Sequence, residues 1–263
     1  THHASRITHH ASRITHHAPR TTHHAAHIAH RLQVLRPLNF EHLGITRTLA
    51  GGHRVDFRAN VALLSRNVLV QGDTASMYTK HGAHIILHSR RHASIVDRSQ
   101  GESLTGRIEN IEVRYAGQMG RLGRYSVHFH MIGAVRNSYV RQCSIHHTYN
   151  RAIAIHGVHY LRVQDNVAFE TRGHTYFVED GLETKNVITG NLGANTRELF
   201  TGLTTDATPS TYWLVNGDNY VERNIAAGSS HCAPLSLCGT TEGQTGREEG
   251  KRVGGGAVWA GGA

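Results

Sequence analysis

The sequence predicts an all-β protein, a single-stranded, right-handed parallel β-helix with about 24 residues per coil. The segments HFHMIG, AIAIHG and YFVEDG end at Gly133, Gly157 and Gly181, a constant spacing of 24 residues. Short β-branched runs lie between them, and amphipathic helices are missing. Because a single strand–turn–strand unit cannot bury its own apolar face, such a repeat is typical of stacked coils. A β-sandwich, the alternative, would need hairpin turn signals and no fixed period.

A degenerate fourth copy, YWLVNG, ends at Gly217, 36 residues after Gly181. The extra length indicates a 12-residue insertion within ELFTGLTTDATPST, after which the coils continue. Second strands such as NSYVRQCSI and HYLRVQDNVAF follow the glycine segments, as this architecture requires. Alternation along the strands predicts an apolar interior that includes Phe129, Met131, Ile153, Ile155 and Phe177.

Composition divides the chain into four parts. Residues 1–36 are a His-rich arm with a heptad period, in which large apolar residues are too few for a coiled coil. We expect this arm to be disordered, with metal capture by its paired histidines as the alternative. Residues 37–52 are a linker or the remnant of a preceding domain. The β-helix then occupies residues 53–231, and residues 232–263 are a Gly-rich, disordered tail.

Charge and cysteine content bear on the partners of the protein. The formal net charge is +9, but residues 1–40 hold five arginines and no acidic residue, so the remaining chain carries only +4. Without an aromatic and basic recognition module, this value argues against a nucleic-acid partner. No apolar run reaches 18 residues, so we expect no transmembrane segment in this chain, and we expect a monomer. Cys143, Cys232 and Cys238 supply no disulfide framework, and Cys143 is expected to be a buried thiol.

The stretch SVHFHMIG contains two histidines one residue apart. Alternation places His128 and His130 on the same face of one strand. Neighbouring coils lie about 4.8 Å apart, so residues at equal positions of the repeat form ladders. Alignment of the three glycines places His156 diagonal to His130. The predicted ladder consists of Ile132, His156, Asp180 and Asn216.

Glu179 does not fit this alignment, because the phase would bury it in the interior as an unpaired carboxylate. We therefore expect the strand to end at Val178, with Glu179 and Asp180 turning outward together. One face of the β-helix would then carry His128, His130, His156 and both carboxylates.

Four interpretations of this cluster remain open on spacing alone. Imidazoles and a carboxylate are good ligands for a transition metal, which His128, His130 and His156 would bind. Histidine beside a carboxylate also suits acid–base chemistry near neutral pH. Two neighbouring carboxylates suit glycoside hydrolysis. The fourth interpretation is a polar ladder that only stabilises the coils. The candidate catalytic residues are Glu179, Asp180, His130 and His156.

Five stretches of the chain resemble the β-helical region of the cell migration-inducing hyaluronidase and its membrane-anchored relative, transmembrane protein 2. They are ALLSRNVLVQG (62–72), GRYSVHFHMIG (123–133), CSIHHTYNRAIAIHG (143–157), GHTYFVEDG (173–181) and STYWLVNGDNYVERNIAAGS (210–229). Fibrocystin-like proteins share the architecture, but VHFHM together with YFVEDG is more similar to the hyaluronidase branch.

The resemblance implies an extracellular or cell-surface location and the depolymerisation of hyaluronan. In that family activity is linked to calcium and to a glycine-rich domain that precedes the β-helix. Only the exit of such a domain, near residues 40–60, matches here, so we expect this chain to be a fragment.

We therefore expect a hyaluronidase-like, glycan-depolymerising protein, an endoglycosidase of the glycoside hydrolase type. The alternative is a non-catalytic polysaccharide-binding or scaffolding β-helix at the cell surface. The expected cofactor is a divalent cation, either calcium as the resemblance implies or a zinc-like ion if the three histidines converge. The substrate is expected to be an anionic polysaccharide such as hyaluronan, contacted by Arg124, Arg136, Arg151, Arg172 and Asn216.

Overall fold

The structure, a computed structural model, describes residue 39 and residues 44–89, 104–199, 206 and 208–229. The arm of residues 1–36 and the tail of residues 232–263, with Cys232 and Cys238, lie outside the described residues. Within the described ranges, no helix has the length and apolar character that crossing a bilayer requires.

Short strands separated by tight turns form the described chain. The strands of its first half are β1 (Thr46–Thr48), β2 (Arg54–Asp56), β3 (Val68–Gln71), β4 (Ile85–His88), β5 (Arg107–Glu109), β6 (Ile111–Arg114), β7 (Val127–Ala134), β8 (Tyr139–Arg141) and β9 (Ser144–His146). A short helix, α1 (Ser76–Thr79), lies between β3 and β4. The later strands are β10 (Ile153–His159), β11 (Arg162–Gln164), β12 (Val167–Phe169), β13 (Tyr176–Val178), β14 (Val187–Thr189), β15 (Leu192–Ala194), β16 (Tyr212–Trp213), β17 (Tyr220–Glu222) and β18 (Ile225–Ala227).

The strands from β3 onward stack into three parallel sheets; β3 adds a strand to the third sheet, and each of the five coils that follow contributes one strand to each sheet. The first sheet has the order β16-β13-β10-β7-β4, the second β17-β14-β11-β8-β5, and the third β18-β15-β12-β9-β6-β3. The predicted parallel β-helix is confirmed. An antiparallel hairpin of β1 and β2 precedes the coils, so the parallel strands begin at Val68 and not at residue 53.

The core lies between the three sheets and runs along the axis of the β-helix. Phe129, Ile153 and Ile155 lie in it, as predicted, and the buried thiol of Cys143 joins them. At the corner between the second and third sheets, buried asparagines form a ladder. The side chain of Asn191 accepts the backbone N–H of Asn166 (3.0 Å) and donates to the carbonyl of Val163 (2.9 Å). The ladder therefore satisfies backbone groups that the turn leaves without a strand partner.

The register between β7 and β10 contradicts the glycine alignment. His130 pairs with His156, and Gly133 pairs with Val158, so Gly133 and Gly157 do not share a column. His130 is therefore directly beside His156 and not diagonal to it.

A bulge in β7 causes this difference. Met131 has a φ of 53°, in the left-handed region, and the register shifts between His156 and Val158. The bulge reverses the alternation, so Ile132 is buried in the core while Met131 is partly exposed, the opposite of the prediction for both. Gly157 faces the bulge with a φ of 59°, and a Cβ there would lie 2.7 Å from the Met131 sulfur.

The register between β10 and β13 also differs from the predicted one. Ile155 pairs with Val178, so Tyr176 and Val178 point into the core. Phe177 was predicted to be interior, but it points outward and is buried instead in a second cluster with Tyr125 and Ala154. The strand ends at Val178 as predicted, and alternation then places Glu179 outward without the burial in the core that the glycine alignment required.

Candidate functional site

A group of four histidines lies together on the outer face of the first sheet. His88, His130 and His156 occupy equal positions on β4, β7 and β10, and form one column across three coils. His128 lies two residues before His130 on the same face, as alternation predicts. We call His88, His128, His130 and His156 the histidine face.

His128 is the buried member of the histidine face. Although it points away from the core, it is only 1% exposed, because the chain preceding β7 folds over it. The ring of Tyr125 lies against it at 4.7 Å between centroids, and its Nδ1 is 2.9 Å from the carbonyl oxygen of Gly123. Burial lowers the pKa of His128 to about 3, so its imidazole is neutral at physiological pH.

The three central histidines pack ring against ring. The ring of His130 lies edge-on to those of His128 and His156, with centroids 4.9 and 4.8 Å away. The Nδ1 atoms of His130 and His88 are 2.9 Å apart. Burial lowers the pKa of His130, and the neighbouring His156 lowers it further. One ring nitrogen from each of His128, His130 and His156 lies within 4.8 Å of the other two.

Two carboxyl groups meet the imidazole of His156. Its Nε2 lies 2.8 Å from Oδ2 of Asp180, and its Nδ1 lies 3.6 Å from Oε2 of Glu179. Glu179 continues the column of His156, because its backbone N–H donates to the carbonyl of Ile155. The imidazole therefore lies between a largely buried carboxyl, with 17% of the side chain exposed, and an open one, with 42% exposed.

The second oxygen of Glu179, Oε1, faces the buried side chains of Tyr125 and Arg151. Oε1 accepts the hydroxyl of Tyr125 at 3.5 Å and lies 3.8 Å from Nη1 of Arg151. Burial raises the pKa of Glu179, while the charges of His156 and Arg151 oppose that rise. Burial also raises the pKa of Tyr125 to about 12, so its hydroxyl stays protonated and can donate.

A buried ion pair holds Arg151 in place. Its Nε donates to Oδ1 of Asp206 at 3.1 Å and its Nη2 to Oδ2 at 2.9 Å. The guanidinium lies 3.8 Å from the ring centroid of Phe177 and donates to the hydroxyl of Tyr125 at 2.9 Å. Arg151, a predicted substrate contact, is thus only 2% exposed, and its guanidinium contacts Tyr125, Glu179 and Asp206 inside the protein.

His174 completes this buried network. Its Nδ1 accepts the backbone N–H of Ser210, so its Nε2 carries the proton and points toward Oδ1 of Asp206 at 3.4 Å. The backbone N–H of His174 also donates to Asp206, at 3.2 Å. Asp206 therefore binds both a guanidinium and an imidazole in a site closed to solvent.

Two further predicted substrate contacts, Arg124 and Arg136, lie apart from each other. Arg124 is exposed on the segment that covers His128 and donates to Nε2 of His84 at 3.2 Å. Arg136 is exposed after β7 and lies 3.5 Å above the ring of Tyr160. Of these two, Arg124 is the one whose segment borders the histidine face.

Arg172 and Asn216 make contacts of their own. Arg172 donates to the carbonyl of Glu198 at 3.2 Å and lines a cavity of about 340 Å³ at the corner between the third and first sheets, together with His147. The amide of Asn216 donates to the carbonyl of Gly181 at 2.7 Å. Asn216 therefore anchors the turn that follows Asp180.

Calcium does not fit the histidine face. This ion takes six to eight oxygen ligands, whereas the converging atoms here are imidazole nitrogens. Nitrogen donors suit zinc, copper, nickel and iron.

Sequence reasoning missed four residues of the site. His88 was within reach of the same alternation argument, since GAHIILHS places it at the end of an apolar strand, but 42 residues separate it from its partner His130. Tyr125, His174 and Asp206 lie outside the strands, where no periodicity reveals their direction.

Comparisons with known proteins agree with the fold. A family model described as the CEMIP β-helix matches residues 80–237. Fibrocystin-L of Homo sapiens is 37% identical over 224 residues, which cover 74% of this chain and 5% of the relative. The cell surface hyaluronidase of Danio rerio is 30% identical over 242 residues, which cover 76% of this chain and 16% of that relative. Cell surface hyaluronidase CEMIP2 of Homo sapiens is 31% identical over 208 residues, which cover 66% of this chain and 15% of that relative.

The chain thus spans a small part of each of these relatives. Fibrocystin-L has a higher identity to it than either hyaluronidase has. This order differs from the expectation that VHFHM and YFVEDG place the chain nearer the hyaluronidase branch.

Proposed function

Because this chain belongs to the family of the CEMIP β-helix, we propose that its histidine face binds an anionic polysaccharide of the hyaluronan type and hydrolyses it. The observation that carries this proposal is the arrangement of Glu179 and Asp180 on either side of His156. Relatives named cell surface hyaluronidase support the substrate class and a location outside the cell or at its surface.

Glycoside hydrolysis needs one carboxyl group that is protonated and one that is ionised. Glu179 supplies the acid, because burial raises its pKa. It gives its proton to the glycosidic oxygen as the bond from that oxygen to the anomeric carbon breaks. Asp180, which is open to solvent, takes a proton from the water molecule whose oxygen forms the new bond to that carbon.

The histidines and Tyr125 position these two carboxyl groups. His156 contacts both, so a single ring sets their separation. The hydroxyl of Tyr125 binds Oε1 of Glu179 and leaves Oε2 turned toward His156. His130 lies beside His156 and contacts its ring edge-on. Arg124, on the bordering segment, is the cation we assign to a carboxylate of the polysaccharide.

A non-catalytic polysaccharide-binding face is the second candidate. Its support is the low exposure of Glu179, together with the contact that already joins Asp180 to His156. A buried Glu179 and an Asp180 held by His156 would serve a rigid binding surface equally well.

The test uses the full chain and hyaluronan of high molecular mass, with product length followed by gel electrophoresis. We expect Glu179→Gln to slow cleavage by about 10²–10⁴-fold, the range for loss of a general acid. The matched control is Glu109→Gln on the second sheet, whose exposed carboxylate pairs with Arg141 at 2.9 Å and should not affect cleavage.

Binding to immobilised hyaluronan separates the two candidates. If the wild-type chain binds without cleaving, and His156→Ala weakens the binding, the hydrolase proposal is wrong and the binding face is supported. If Glu179→Gln cleaves as fast as wild type, Glu179 is not the acid. A chain that neither binds nor cleaves would overturn both candidates.

A further inference from the structure

Three imidazole rings converge on the histidine face in a way that the proposed hydrolysis does not require. One ring nitrogen from each of His128, His130 and His156 lies within 4.8 Å of the others. We propose that these three histidines bind one transition-metal ion of the zinc type. This proposal does not rest on the proposed function, because the ion would bind whether or not the chain cleaves a polysaccharide.

The strongest support comes from the two nitrogens of His128. Nδ1 lies 2.9 Å from the carbonyl oxygen of Gly123, which can only accept, so Nδ1 carries the proton. Nε2 therefore holds a free lone pair. This atom is buried and has no hydrogen-bond partner among the residues that the structure describes. A buried acceptor without a partner is destabilising, and a bound ion would remove that cost.

The same contact is typical of metal-binding histidines. A histidine ligand usually donates its second ring N–H to a carbonyl or carboxylate, which fixes the tautomer and aims the other nitrogen at the metal. The carbonyl of Gly123 takes this role for His128. The side chain is also held rigidly, because it is 1% exposed and packs against Tyr125.

The other two ligands are more open and can adjust. His130 and His156 stand on neighbouring strands of one parallel sheet, at equal positions. In a tetrahedral site with bonds of 2.0–2.1 Å the ligand atoms lie about 3.4 Å apart, so the ring nitrogens need to approach one another by about 1.4 Å at most. Rotation about the side-chain bonds of His130 and His156 supplies such a movement without a change in the backbone.

A fourth ligand is within reach. Oδ2 of Asp180 lies 2.8 Å from Nε2 of His156, and Asp180 is open to solvent. Three imidazoles with one carboxylate or one water molecule form the usual tetrahedral set for zinc. The set also selects against calcium and magnesium, which prefer oxygen ligands.

The test measures zinc bound to the full chain at equilibrium, in zinc buffered with nitrilotriacetate, by elemental analysis. The ten histidines of residues 1–30 are present in every variant, so the difference from wild type reports the proposed site. We expect His130→Ala and His156→Ala each to lose one equivalent. The loss of affinity should exceed the 10–100-fold that is typical of changes outside the ligand set. His53→Ala and His81→Ala, which change exposed histidines elsewhere, should keep the wild-type value.

A third variant tests the buried ligand. His128→Asn keeps an N–H near the position of Nδ1 but has no counterpart of Nε2, so it should lose the same equivalent while circular dichroism stays unchanged. Cobalt bound to the wild-type chain should show the intense visible absorption of a tetrahedral site, and this band should be missing in His130→Ala. If His130→Ala and His156→Ala bind as much zinc as wild type, the proposal is wrong. Retention of zinc by a folded His128→Asn would equally overturn the three-histidine site.

Discussion

Replacement of Asp206 by asparagine should destabilise the β-helix strongly, because it removes the carboxylate that neutralises buried Arg151. The pair is closed to solvent, with 2% of the arginine side chain and 0% of the aspartate side chain exposed. Two hydrogen bonds of 3.1 and 2.9 Å join them. Asparagine keeps one oxygen acceptor but has an amide NH2 in place of the other, so the change removes the charge together with part of the hydrogen bonding to Arg151.

The expected loss is large relative to the stability of a domain. Breaking a buried ion pair by removing one partner costs about 3–5 kcal/mol, because the other charge stays buried without compensation. A typical domain has a free energy of unfolding of only about 5–15 kcal/mol. The same substitution in an exposed pair should cost about 0–1 kcal/mol. Asp218, which pairs with Lys185 at 2.5 Å near the surface, provides this control.

Urea unfolding followed by circular dichroism measures both effects. We expect Asp206→Asn to lose about 3–5 kcal/mol and Asp218→Asn less than about 1 kcal/mol. The double variant Arg151→Met with Asp206→Asn should recover much of the loss, because it leaves no unpaired charge. A loss below about 1 kcal/mol in Asp206→Asn, or no recovery in the double variant, would refute the uncompensated charge of Arg151 as the cause of the destabilisation.

Two further predictions follow from the same network and from the asparagine ladder. Cleavage of hyaluronan should fall as the pH rises through the raised pKa of Glu179, because the acid is active only when protonated. In the folded double variant this fall should move to higher pH, since the charge of Arg151 no longer lowers the pKa of Glu179; an unmoved pH profile would contradict the role of Glu179 as the acid. In the ladder, Asn191→Ala should lower the free energy of unfolding by about 2–4 kcal/mol, because two buried backbone groups lose their partners. Exposed Asn137→Ala is its control in urea unfolding, and equal losses would argue against the ladder.

The repeat was sufficient to predict the β-helix but not its register. Glycines end the segments HFHMIG, AIAIHG and YFVEDG at a constant spacing, yet the strands pair at other offsets. The reason is physical: a bulge at Met131 adds a residue to one strand without changing the spacing of the glycines. The 36-residue displacement of the fourth copy is confirmed, because Tyr176 pairs with Tyr212.

Alternation predicted the direction of His128 and His130 because both precede the bulge. Beyond the bulge, the same argument gave the wrong directions for the side chains of Met131 and Ile132. The predicted interior position of Phe177 was wrong for another reason. Its apolar side chain suggested the interior, but an outward position is also buried where Tyr125 and Ala154 cover it. Hydrophobicity therefore predicts burial better than it predicts the side of the strand on which burial occurs.

The environment of Glu179 depends on Asp206, a residue that does not belong to any copy of the repeat. Asp206 lies in the insertion that displaces the fourth copy, and an insertion is expected to extend a loop at the surface. Its carboxylate instead reaches the buried guanidinium of Arg151, which in turn lies 3.8 Å from Glu179. Were Asp206 absent, Arg151 would lose its nearer counter-charge and would stabilise the ionised form of Glu179 more strongly. Under the proposed function, Asp206 would thus influence the acid Glu179 through Arg151, and a relative with an intact Glu179–Asp180 pair but without this aspartate should differ in the pH at which it acts.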